Sequence, residues 1–315
     1  MAIRRIYDFK LDARGRYVDG VFLLEKFLGG NDISDMIFDG VYLYAARLYQ
    51  VYKIDLKRKK VVAISPSYGT YIYRLAYDGT YLYCAGASTV GRVWKINPTD
   101  MSKMAETNEV YSGHIYGLAT DGTNIYCSGI RISGKPEAQL WKLNRNTLAK
   151  IAESNIPAYI SYASLVYADG YLYNDYQGSS VMKIRTSDLE KVAESPKYDT
   201  TIRTIAYDGN YIYMSGGGHT GYGRVWKIDP RNMNKIAQSP VHPGNNVQAI
   251  TTYNKNIYCS GAGGVIWKLD PLNMQVLNDW ITYDSLVRAL TLDAKYLYCG
   301  GNKLGKIIDK IYLKN

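Results

Sequence analysis

Four cysteines are the residues in this chain best suited to nucleophilic, redox or metal chemistry. Each directly follows a tyrosine: Cys84, Cys127, Cys259 and Cys299. No pair has the CxxC spacing of a zinc site. Because cysteine also behaves as a small hydrophobic residue, we expect all four thiols to be buried within strands.

The three histidines are His114, His219 and His242, and they lie far apart in the chain. A metal site or a catalytic triad would require at least two of them to meet carboxylates or a nucleophile, and no spacing motif indicates this. The loop acids Glu109, Glu137 and Asp175 form no repeated pair of the kind that glycoside hydrolysis requires. We therefore predict that the protein is not an enzyme and holds neither a metal nor a cofactor.

An internal repeat predicts the elements that position these residues. An Ile or Leu followed by Tyr recurs at Tyr44, Tyr83, Tyr126, Tyr173, Tyr213, Tyr258 and Tyr298. A lysine follows each tyrosine: Lys53, Lys95, Lys142, Lys183, Lys227, Lys268 and Lys310. From lysine to the next tyrosine the distance is 30 or 31 residues, whereas from tyrosine to lysine it varies from 9 to 16. The chain therefore has seven units, and their length variation lies in one connection.

Each unit contains four short β runs separated by turn residues. In the second unit, IYRLAY, YLYCAG, RVWKI and MSKMAE are separated by Asp78-Gly79, a Gly-rich loop and Asn97-Pro98. Four strands in a repeat of about 40 to 45 residues are typical of a β-propeller. We predict an all-β fold in which residues 1–315 form a single seven-bladed β-propeller of four-stranded antiparallel blades.

The spacing of the repeat also predicts how the ring closes. Only five residues follow Lys310, too few for a fourth strand, whereas Arg14 precedes the first repeat tyrosine by the usual 30 residues. We predict that residues 14–28 form the outer strand of the last blade, so that N- and C-terminal strands share it and no sheet edge is left open. Residues 1–13 would then form an N-terminal arm.

The "DGxYLY" and "VWKID" units resemble those of the quinoprotein-like and YVTN-type propeller superfamily over nearly the whole chain. Repeat proteins of this kind without a secretion signal are also similar to the propeller modules of phage tails and other virion parts. The resemblance implies a propeller fold and, for the virion modules, a role in adhesion or assembly. It does not extend to the adjacent-cysteine disulfide of quinoprotein dehydrogenases or to the SxDxGxxW repeat of sialidases, which are absent.

The net charge of +10 raises the question of an anionic partner. Eleven residues after the repeat basic residue, five of seven units carry an acid: Glu25, Glu106, Glu153, Glu194 and Asp279. We predict that these acids pair with the repeat lysines across neighbouring strands, so a nucleic-acid partner is not expected. The chain has no apolar run of membrane-spanning length and no signal peptide. These features predict cytoplasmic synthesis without membrane insertion, and the resemblance implies association with a virion.

Four tryptophans share one repeat position, Trp94, Trp141, Trp226 and Trp267, and are predicted to pack between blades. The variable connection joins the second and third strands and emerges on the same face as the fourth-to-first connections. The candidate binding residues on this loop face are Arg131, Lys135, Tyr159, Tyr162, His219, Tyr222, Tyr111, His114, Tyr198, Trp280 and Tyr283, with Tyr68 and His242 extending the same aromatic rim. Trp280 lies outside the register of the other tryptophans and is predicted to be at the surface.

Tyrosine and tryptophan provide large contact areas for proteins and stacking surfaces for sugar rings. We therefore predict a non-enzymatic binding or structural propeller that contacts protein partners of a larger assembly, or a host-surface receptor, through the loop face. A carbohydrate-binding, lectin-type propeller is the alternative, and a cofactor-dependent propeller enzyme is a third possibility. The rim aromatics could also serve only to pack the seams between blades.

Overall fold

The computed structural model describes residues 10–11, 17–18, 33–87, 90–108, 111, 113–131, 140–156, 164–176, 178–198, 201–217, 223–243, 246–281, 286–301 and 308–313. Within these ranges the regular elements are all β-strands. No helix long and apolar enough to cross a membrane occurs in the described part of the chain.

The strands form seven consecutive antiparallel sheets, which we number as blades 1 to 7. Blade 1 consists of β3 (Ile33–Phe38), β4 (Tyr42–Arg47), β5 (Gln50–Asp55) and β6 (Lys60–Ile64), and blade 2 of β7 (Ile72–Tyr77), β8 (Leu82–Ala87), β9 (Gly91–Ile96) and β10 (Lys103–Glu106). Blade 3 consists of β11 (Gly113–Thr120), β12 (Asn124–Arg131), β13 (Trp141–Asn144) and β14 (Lys150–Glu153), and blade 4 of β15 (Val166–Ala168), β16 (Tyr171–Tyr176), β17 (Ser180–Arg185) and β18 (Lys191–Glu194). Blade 5 consists of β19 (Ile202–Tyr207), β20 (Ile212–Gly216), β21 (Arg224–Ile228) and β22 (Lys235–Gln238), and blade 6 of β23 (Val247–Tyr253), β24 (Asn256–Gly261), β25 (Val265–Leu269) and β26 (Val276–Ile281). Blade 7 consists of β27 (Val287–Leu292), β28 (Tyr296–Gly301) and β29 (Ile308–Tyr312).

The first strand of each blade lies innermost and contacts the first strand of the next blade all the way round the ring. The circle is completed where β27 and β28 of blade 7 pack against β3 of blade 1. The prediction of an all-β, seven-bladed propeller is therefore confirmed.

The last blade has three strands among the described residues. A separate two-stranded pair, β1 (Lys10–Leu11) and β2 (Tyr17–Val18), comes from the N-terminus, and β2 lies close to β29. Of the predicted outer strand at residues 14–28, only Tyr17 and Val18 fall within the description. The position of the remainder stays a prediction.

A buried tyrosine is fastened to an aspartate at the turn between the first and second strands. In blade 1, Asp39 Oδ1 accepts hydrogen bonds from the Val41 and Tyr42 amides, and Oδ2 accepts one from Tyr44 Oη at 2.9 Å. The tyrosine–aspartate bond recurs at 2.8 Å in four other blades: Tyr83–Asp78, Tyr126–Asp121, Tyr213–Asp208 and Tyr298–Asp293. A buried phenol favours such an acceptor, which explains the aspartate at the turn of these five blades.

Repeat lysines connect blades 1, 3, 4 and 5 to the blade that follows. The Nζ atoms of five repeat lysines lie 3.5 to 4.1 Å from the centroid of a tyrosine ring on the neighbouring strand: Lys53–Tyr42, Lys95–Tyr81, Lys183–Tyr171, Lys227–Tyr211 and Lys310–Tyr296. Four repeat lysines donate to carbonyl oxygens in the following blade: Lys53 to Pro98, Lys142 to Thr186, Lys183 to Pro230 and Lys227 to Pro271, at 2.6 to 3.0 Å. Burial lowers the pKa of Lys95, Lys183 and Lys227.

These contacts correct the predicted pairing of repeat lysines with acids. Three of the five acids instead pair with lysines three residues earlier on the same outer strand: Lys103–Glu106, Lys150–Glu153 and Lys191–Glu194, at 2.9 to 3.0 Å. A β-bulge in each outer strand explains this geometry, because the extra residue brings positions i and i+3 to the same side. The bulge was not visible in the sequence spacing.

The four tryptophans of the repeat are buried between blades, as predicted. Trp94, for example, is 4% exposed and shares a core cluster with Tyr44 and Val51 of the preceding blade. The four cysteines are also buried, with free thiols, and burial raises their pKa where a shift is resolved, at Cys84, Cys127 and Cys259. Both predictions are confirmed.

Replacing Tyr213 with Phe is expected to lower the free energy of unfolding by about 1 kcal/mol, because the Asp208 carboxylate loses a buried donor. Tyr258→Phe is the matched control, since the corresponding turn of blade 6 contains Asn254 and Lys255 and no aspartate. Chemical denaturation of both variants measures the difference. Equal losses would contradict a stabilising role for the tyrosine–aspartate bond.

Deletion of residues 1–28 is expected to lower the melting temperature by roughly 5 °C or more, because it removes β2 and leaves the edge of β29 uncovered. Deletion of residues 1–9 is the control, since β1 and β2 then remain. Scanning calorimetry compares the two proteins. An unchanged melting transition in the longer deletion would show that the N-terminal strands do not complete the ring.

Candidate functional site

The inner strands carry a β-bulge in blades 1, 2, 3, 5, 6 and 7, at the second residue of the strand except in blade 3, where it is the fourth. The bulged residues are Ser34, Tyr73, Tyr116, Arg203, Gln248 and Arg288. They share one register position near the loop-face end of the central channel, yet their chemistry differs from blade to blade. Two are aromatic in adjacent blades, whereas the three in blades 5 to 7 are cationic or carboxamide side chains.

A glycine on the second strand accommodates this bulge. A Cβ at Gly86 would overlap the carbonyl oxygen of Tyr71, which directly precedes the inner strand of the same blade. Gly129, Gly261 and Gly301 occupy the same position in blades 3, 6 and 7. In these four blades the close backbone approach requires glycine, whereas blade 1 forms the same bulge with Arg47 at this position.

A cavity of about 190 Å³ lies on the ring axis and is lined by residues of all seven inner segments. Its charged residues are Asp35, Arg74 and Arg288. Ser164, Thr204 and Gln248 add polar groups, and the apolar lining consists of Leu75, Leu118, Leu165, Ile205, Ala249, Ile250, Ala289 and Leu290. The cavity therefore combines a partly cationic wall with hydrophobic surface.

Asp35 fastens the inner strands of blades 1 and 2 across the channel wall. Its Oδ1 accepts from the Met36 amide at 2.9 Å and its Oδ2 from the Leu75 amide at 2.8 Å. The carboxylate borders a channel enclosed by protein, and this burial raises its pKa, opposed in part by the nearby Arg74. Ser164 serves the same purpose in blade 4, accepting from the Ile205 amide at 2.9 Å.

Five aromatic rings form a continuous cluster on the loop face beside the channel. We call Tyr49, Tyr71, Tyr73, His114 and Tyr116 the aromatic cluster. Ring centroids are 5.3 Å apart for Tyr49–Tyr71, 6.4 Å for Tyr71–Tyr73, 4.7 Å for Tyr73–Tyr116 and 6.0 Å for His114–Tyr116. Tyr49 and Tyr71 are 39% and 46% exposed, and the other three rings are half-buried. The cluster spans blades 1 to 3 and presents its rings to solvent.

The pKa shifts of Tyr73 and His114 both favour their uncharged forms. Burial, with a further contribution from Tyr116, raises the pKa of Tyr73 to about 12, and burial lowers the pKa of His114. Tyr73 Oη and His114 Nδ1 are 3.5 Å apart. A ligand on this surface therefore meets neutral rings with hydroxyl and imidazole groups at their edges.

The structure corrects the predicted aromatic rim at four positions. Each ring lies on the connection between two blades and covers the tryptophan of the following blade: Tyr68–Trp94, Tyr111–Trp141, Tyr198–Trp226 and His242–Trp267, at 4.7 to 5.2 Å. Tyr111, Tyr198 and His242 are 1%, 9% and 0% exposed. These residues pack the seams between blades, which was the alternative interpretation of the sequence.

Trp280 is also buried, at 6% exposure, so its predicted surface position is wrong. It lies on β26, which continues further than the other outer strands, and pairs there with Ile266. The indole shares a core cluster with Val287 and Leu290 of blade 7. Its different register places it against the next blade and does not expose it.

Among the predicted site residues that the structure describes, His114 alone joins the aromatic cluster. Arg131 ends β12, and its side chain lies outside the description. Lys135, Tyr159, Tyr162, His219, Tyr222 and Tyr283 lie outside the described residues. Sequence reasoning missed Tyr49, Tyr71, Tyr73 and Tyr116. The signal that could have found the last two is the tyrosine after isoleucine in IYR and IYG, where other units place Ser, Arg or Gln.

Metal ligation receives no support from the described residues, among which no group of three or more His, Cys, Asp or Glu could hold a metal ion. No protein-family model and no curated protein sequence matches the chain. Among solved structures, the chain is similar to the computationally designed Ika8 protein, with a TM-score of 0.67 and 13% identity over 89% of this chain and 83% of that chain. At this identity the similarity shows a shared propeller fold alone.

Tyrosine occupies positions 68 and 198, which correspond to His242 in other blades. Replacing His242 with Tyr is expected to reduce the loss of folding stability in acid. Burial lowers the pKa of His242 to about 4 in the folded protein, below its ordinary value of 6.5. The unfolded chain therefore binds more protons than the folded one between these values, and stability that is full above pH 6.5 falls as the pH drops towards 4. The loss amounts to roughly 3 kcal/mol at pH 4.

Urea denaturation of the wild type and His242→Tyr at pH 7 and pH 4.5 measures this effect. The difference in unfolding free energy between the two proteins should shift in favour of the variant by about 2 to 3 kcal/mol at the lower pH. Carboxylate titration affects both proteins and cancels in the comparison. A difference independent of pH would show that the pKa of His242 is the same in the folded and the unfolded protein.

Proposed function

We propose that the protein is a non-enzymatic binding propeller that docks a protein partner through the aromatic cluster on its loop face. Its role would be adhesion or assembly within a larger particle, such as a phage tail or another virion-like structure. The observation that supports this most directly is the exposed, continuous row of rings across blades 1 to 3. The resemblance of the repeat units to virion propeller modules supports the particle context.

The residue types of this surface suit protein recognition. Tyrosine and arginine are enriched among the residues that dominate binding energy, and tyrosine offers a large contact area at low conformational cost. Tyr73 and Tyr116 are held by neighbouring rings and by the bulged inner strands, so little ordering remains for the partner to impose. Arg203 and Arg288 hold the equivalent bulge positions in blades 5 and 7.

Carbohydrate binding is a second candidate function, because two pairs of rings in the aromatic cluster are nearly parallel. Tyr71 and Tyr73 are inclined by 13°, and His114 and Tyr116 by 9°. Nearly parallel rings provide flat platforms on which the apolar faces of sugar rings stack. The same residues would then bind a glycan on a host surface.

The double variant Tyr71→Ser/Tyr73→Ser tests the docking surface. We expect a stoichiometric protein partner, captured by the wild type from its source and identified by mass spectrometry, to bind the double variant at least about tenfold more weakly. The control is Val41→Ser/Leu272→Ser, which removes two exposed apolar side chains from turns on the opposite face. It should bind as the wild type does.

Equal affinity in the wild type and the double variant would exclude the aromatic cluster as the docking surface. If no protein partner is captured, a glycan array becomes the decisive measurement. Glycan binding that disappears in Tyr71→Ser/Tyr73→Ser and persists in the control would then support the lectin-type alternative.

A further inference from the structure

We infer that the outer edge of blade 1 is a second docking surface, which takes an extended acidic peptide segment of a partner protein as an added β-strand. The surface consists of the turn at residues 57–60 and the outer strand β6 (Lys60–Ile64), and we call it the blade 1 edge. It goes beyond the proposed docking function, because no ring of the aromatic cluster belongs to it.

The outer strand of blade 1 presents an open backbone edge. In the described part of the chain, β6 pairs with β5 alone. Directly after β6, the Ser65 amide donates inward to the Val51 carbonyl oxygen at 2.9 Å. Because backbone groups alternate in direction along a paired strand, the N–H and C=O of Ile64 face outward. A further strand can pair with these groups, which is how β-strand addition recognises an extended peptide.

The outer strands of blades 2, 3 and 4 carry a charged pair that β6 lacks. Each places a lysine and a glutamate three residues apart and joins them in an ion pair. At the same register, blade 1 has Val61 and Ile64. Charges on an edge strand oppose pairing with another chain, so β6 has less protection of this kind. Its one charged residue is Lys60, at its first position.

Apolar side chains line the blade 1 edge. Val62 and Ile64 are 37% and 46% exposed. Val61 and Ala63 are half-buried, because they pack against the cores that blade 1 shares with its two neighbours. An added strand would cover the exposed pair with apolar side chains of its own, as neighbouring strands of a sheet do.

The turn that precedes β6 gives the blade 1 edge its positive charge. Residues 57–60 are Lys-Arg-Lys-Lys, and all four are exposed. Among the described residues, the acid that forms an ion pair with this turn is Asp55, whose carboxylate lies 3.5 Å from Arg58. Four positive charges and one negative charge leave three positive charges. An acidic segment therefore complements the turn.

The basic turn also departs from the repeat where other blades bury an apolar side chain. Lys59 is exposed and has a φ of 55°. The corresponding residues of blades 2 to 6 have φ values of 57° to 63° and are 0 to 1% exposed: Met101, Leu148, Leu189, Met233 and Met274. The same backbone conformation thus accepts an apolar residue that stabilises the blade. A lysine there gives up that burial and presents a cation, which an external anion explains.

A second copy of the chain does not complement the blade 1 edge. If two β6 strands paired antiparallel about Val62, residues 57–60 of each copy would lie beside residues 64–67 of the other. That segment contains no acid and includes Pro66, which has no backbone donor. A parallel pair would place the two basic turns side by side. The charges therefore favour a different chain with acidic residues.

A fluorescently labelled synthetic peptide, acetyl-EEETVTVTEEE-amide, tests strand addition by fluorescence anisotropy. Its threonines and valines favour an extended strand, and its terminal glutamates reach the turn in either strand direction. The control peptide is N-methylated at the five central residues, so it keeps every charge and side chain but loses the backbone donors. We expect the wild type to bind the unmodified peptide at least about tenfold more tightly than the control peptide.

Two variants give blade 1 the residue types of other blades. Ile64→Glu restores the acid of blades 2 to 4 and should weaken peptide binding at least about tenfold, because it places like charges together and removes an apolar contact. Lys59→Met/Lys60→Ser introduces the Met-Ser pair of blade 2 and should weaken binding at least about fivefold. The control with the same loss of charge is Lys235→Ser/Lys255→Ser, at exposed positions of blades 5 and 6. It should bind as the wild type does.

Several outcomes would overturn the inference: no binding of the peptide, equal binding of the N-methylated peptide, or an Ile64→Glu variant that binds as tightly as the wild type. Duplex DNA or phosphatidylserine vesicles that bind more tightly than the peptide at the same salt concentration would also overturn it. The surface would then recognise negative charge without strand addition.

The two docking proposals can fail independently. Tyr71→Ser/Tyr73→Ser should still bind the peptide, because neither tyrosine belongs to the blade 1 edge. Lys59→Met/Lys60→Ser should still capture the partner of the loop face. Thermal melting of each variant confirms that the ring remains folded, and the substitutions suit this purpose because each replaces an exposed residue with a type that another blade uses at the same place.

Discussion

The structure depends on the fact that a single blade cannot cover its own apolar faces. Each tryptophan of the repeat packs into the core of the preceding blade, as Trp94 does with Tyr44 and Val51. Each inner strand also contacts the inner strand of the next blade. The requirement is satisfied at every seam only if the last blade meets the first, which it does through β27 and β3. Closure of the ring therefore fixes the central cavity and the relative positions of all the loop-face residues.

The constant positions of the repeat stabilise the fold, whereas the variable positions present different side chains from blade to blade. Tyr213 with Asp208, and Lys227 with the Pro271 carbonyl, hold positions that must be nearly the same in every blade. The bulged residue of the inner strand belongs to no ladder pair, so packing constrains its side chain less. Chemical variety has accumulated at that position, with aromatic residues in blades 2 and 3 and Arg288 in blade 7.

The sequence predicted the features that repeat with a constant spacing and failed where contacts cross between blades. Seven tyrosines and seven lysines were enough to establish blade number and strand order, and the thiol of Cys84 was correctly predicted to be buried. The hydrogen-bond partner of Lys53 was not predicted, because the Pro98 carbonyl is 45 residues away and belongs to the next blade. Tyr111 was wrongly predicted to lie at the surface for the same reason, because its ring packs on Trp141 of the next blade and that tertiary contact leaves no mark in the repeat spacing. Tyr73 and Tyr116 meet only because two bulges face one another across a seam.

The four buried thiols can report on the local opening of individual blades. Cys84, Cys127, Cys259 and Cys299 occupy equivalent places on the second strands of blades 2, 3, 6 and 7, where blades 1, 4 and 5 carry Ala45, Asn174 and Met214. A thiol that is fully buried reacts with an alkylating reagent only when its own blade opens. Labelling rates read blade by blade would therefore show whether the ring opens first at the seam between blades 7 and 1 or on the far side, without introducing any probe.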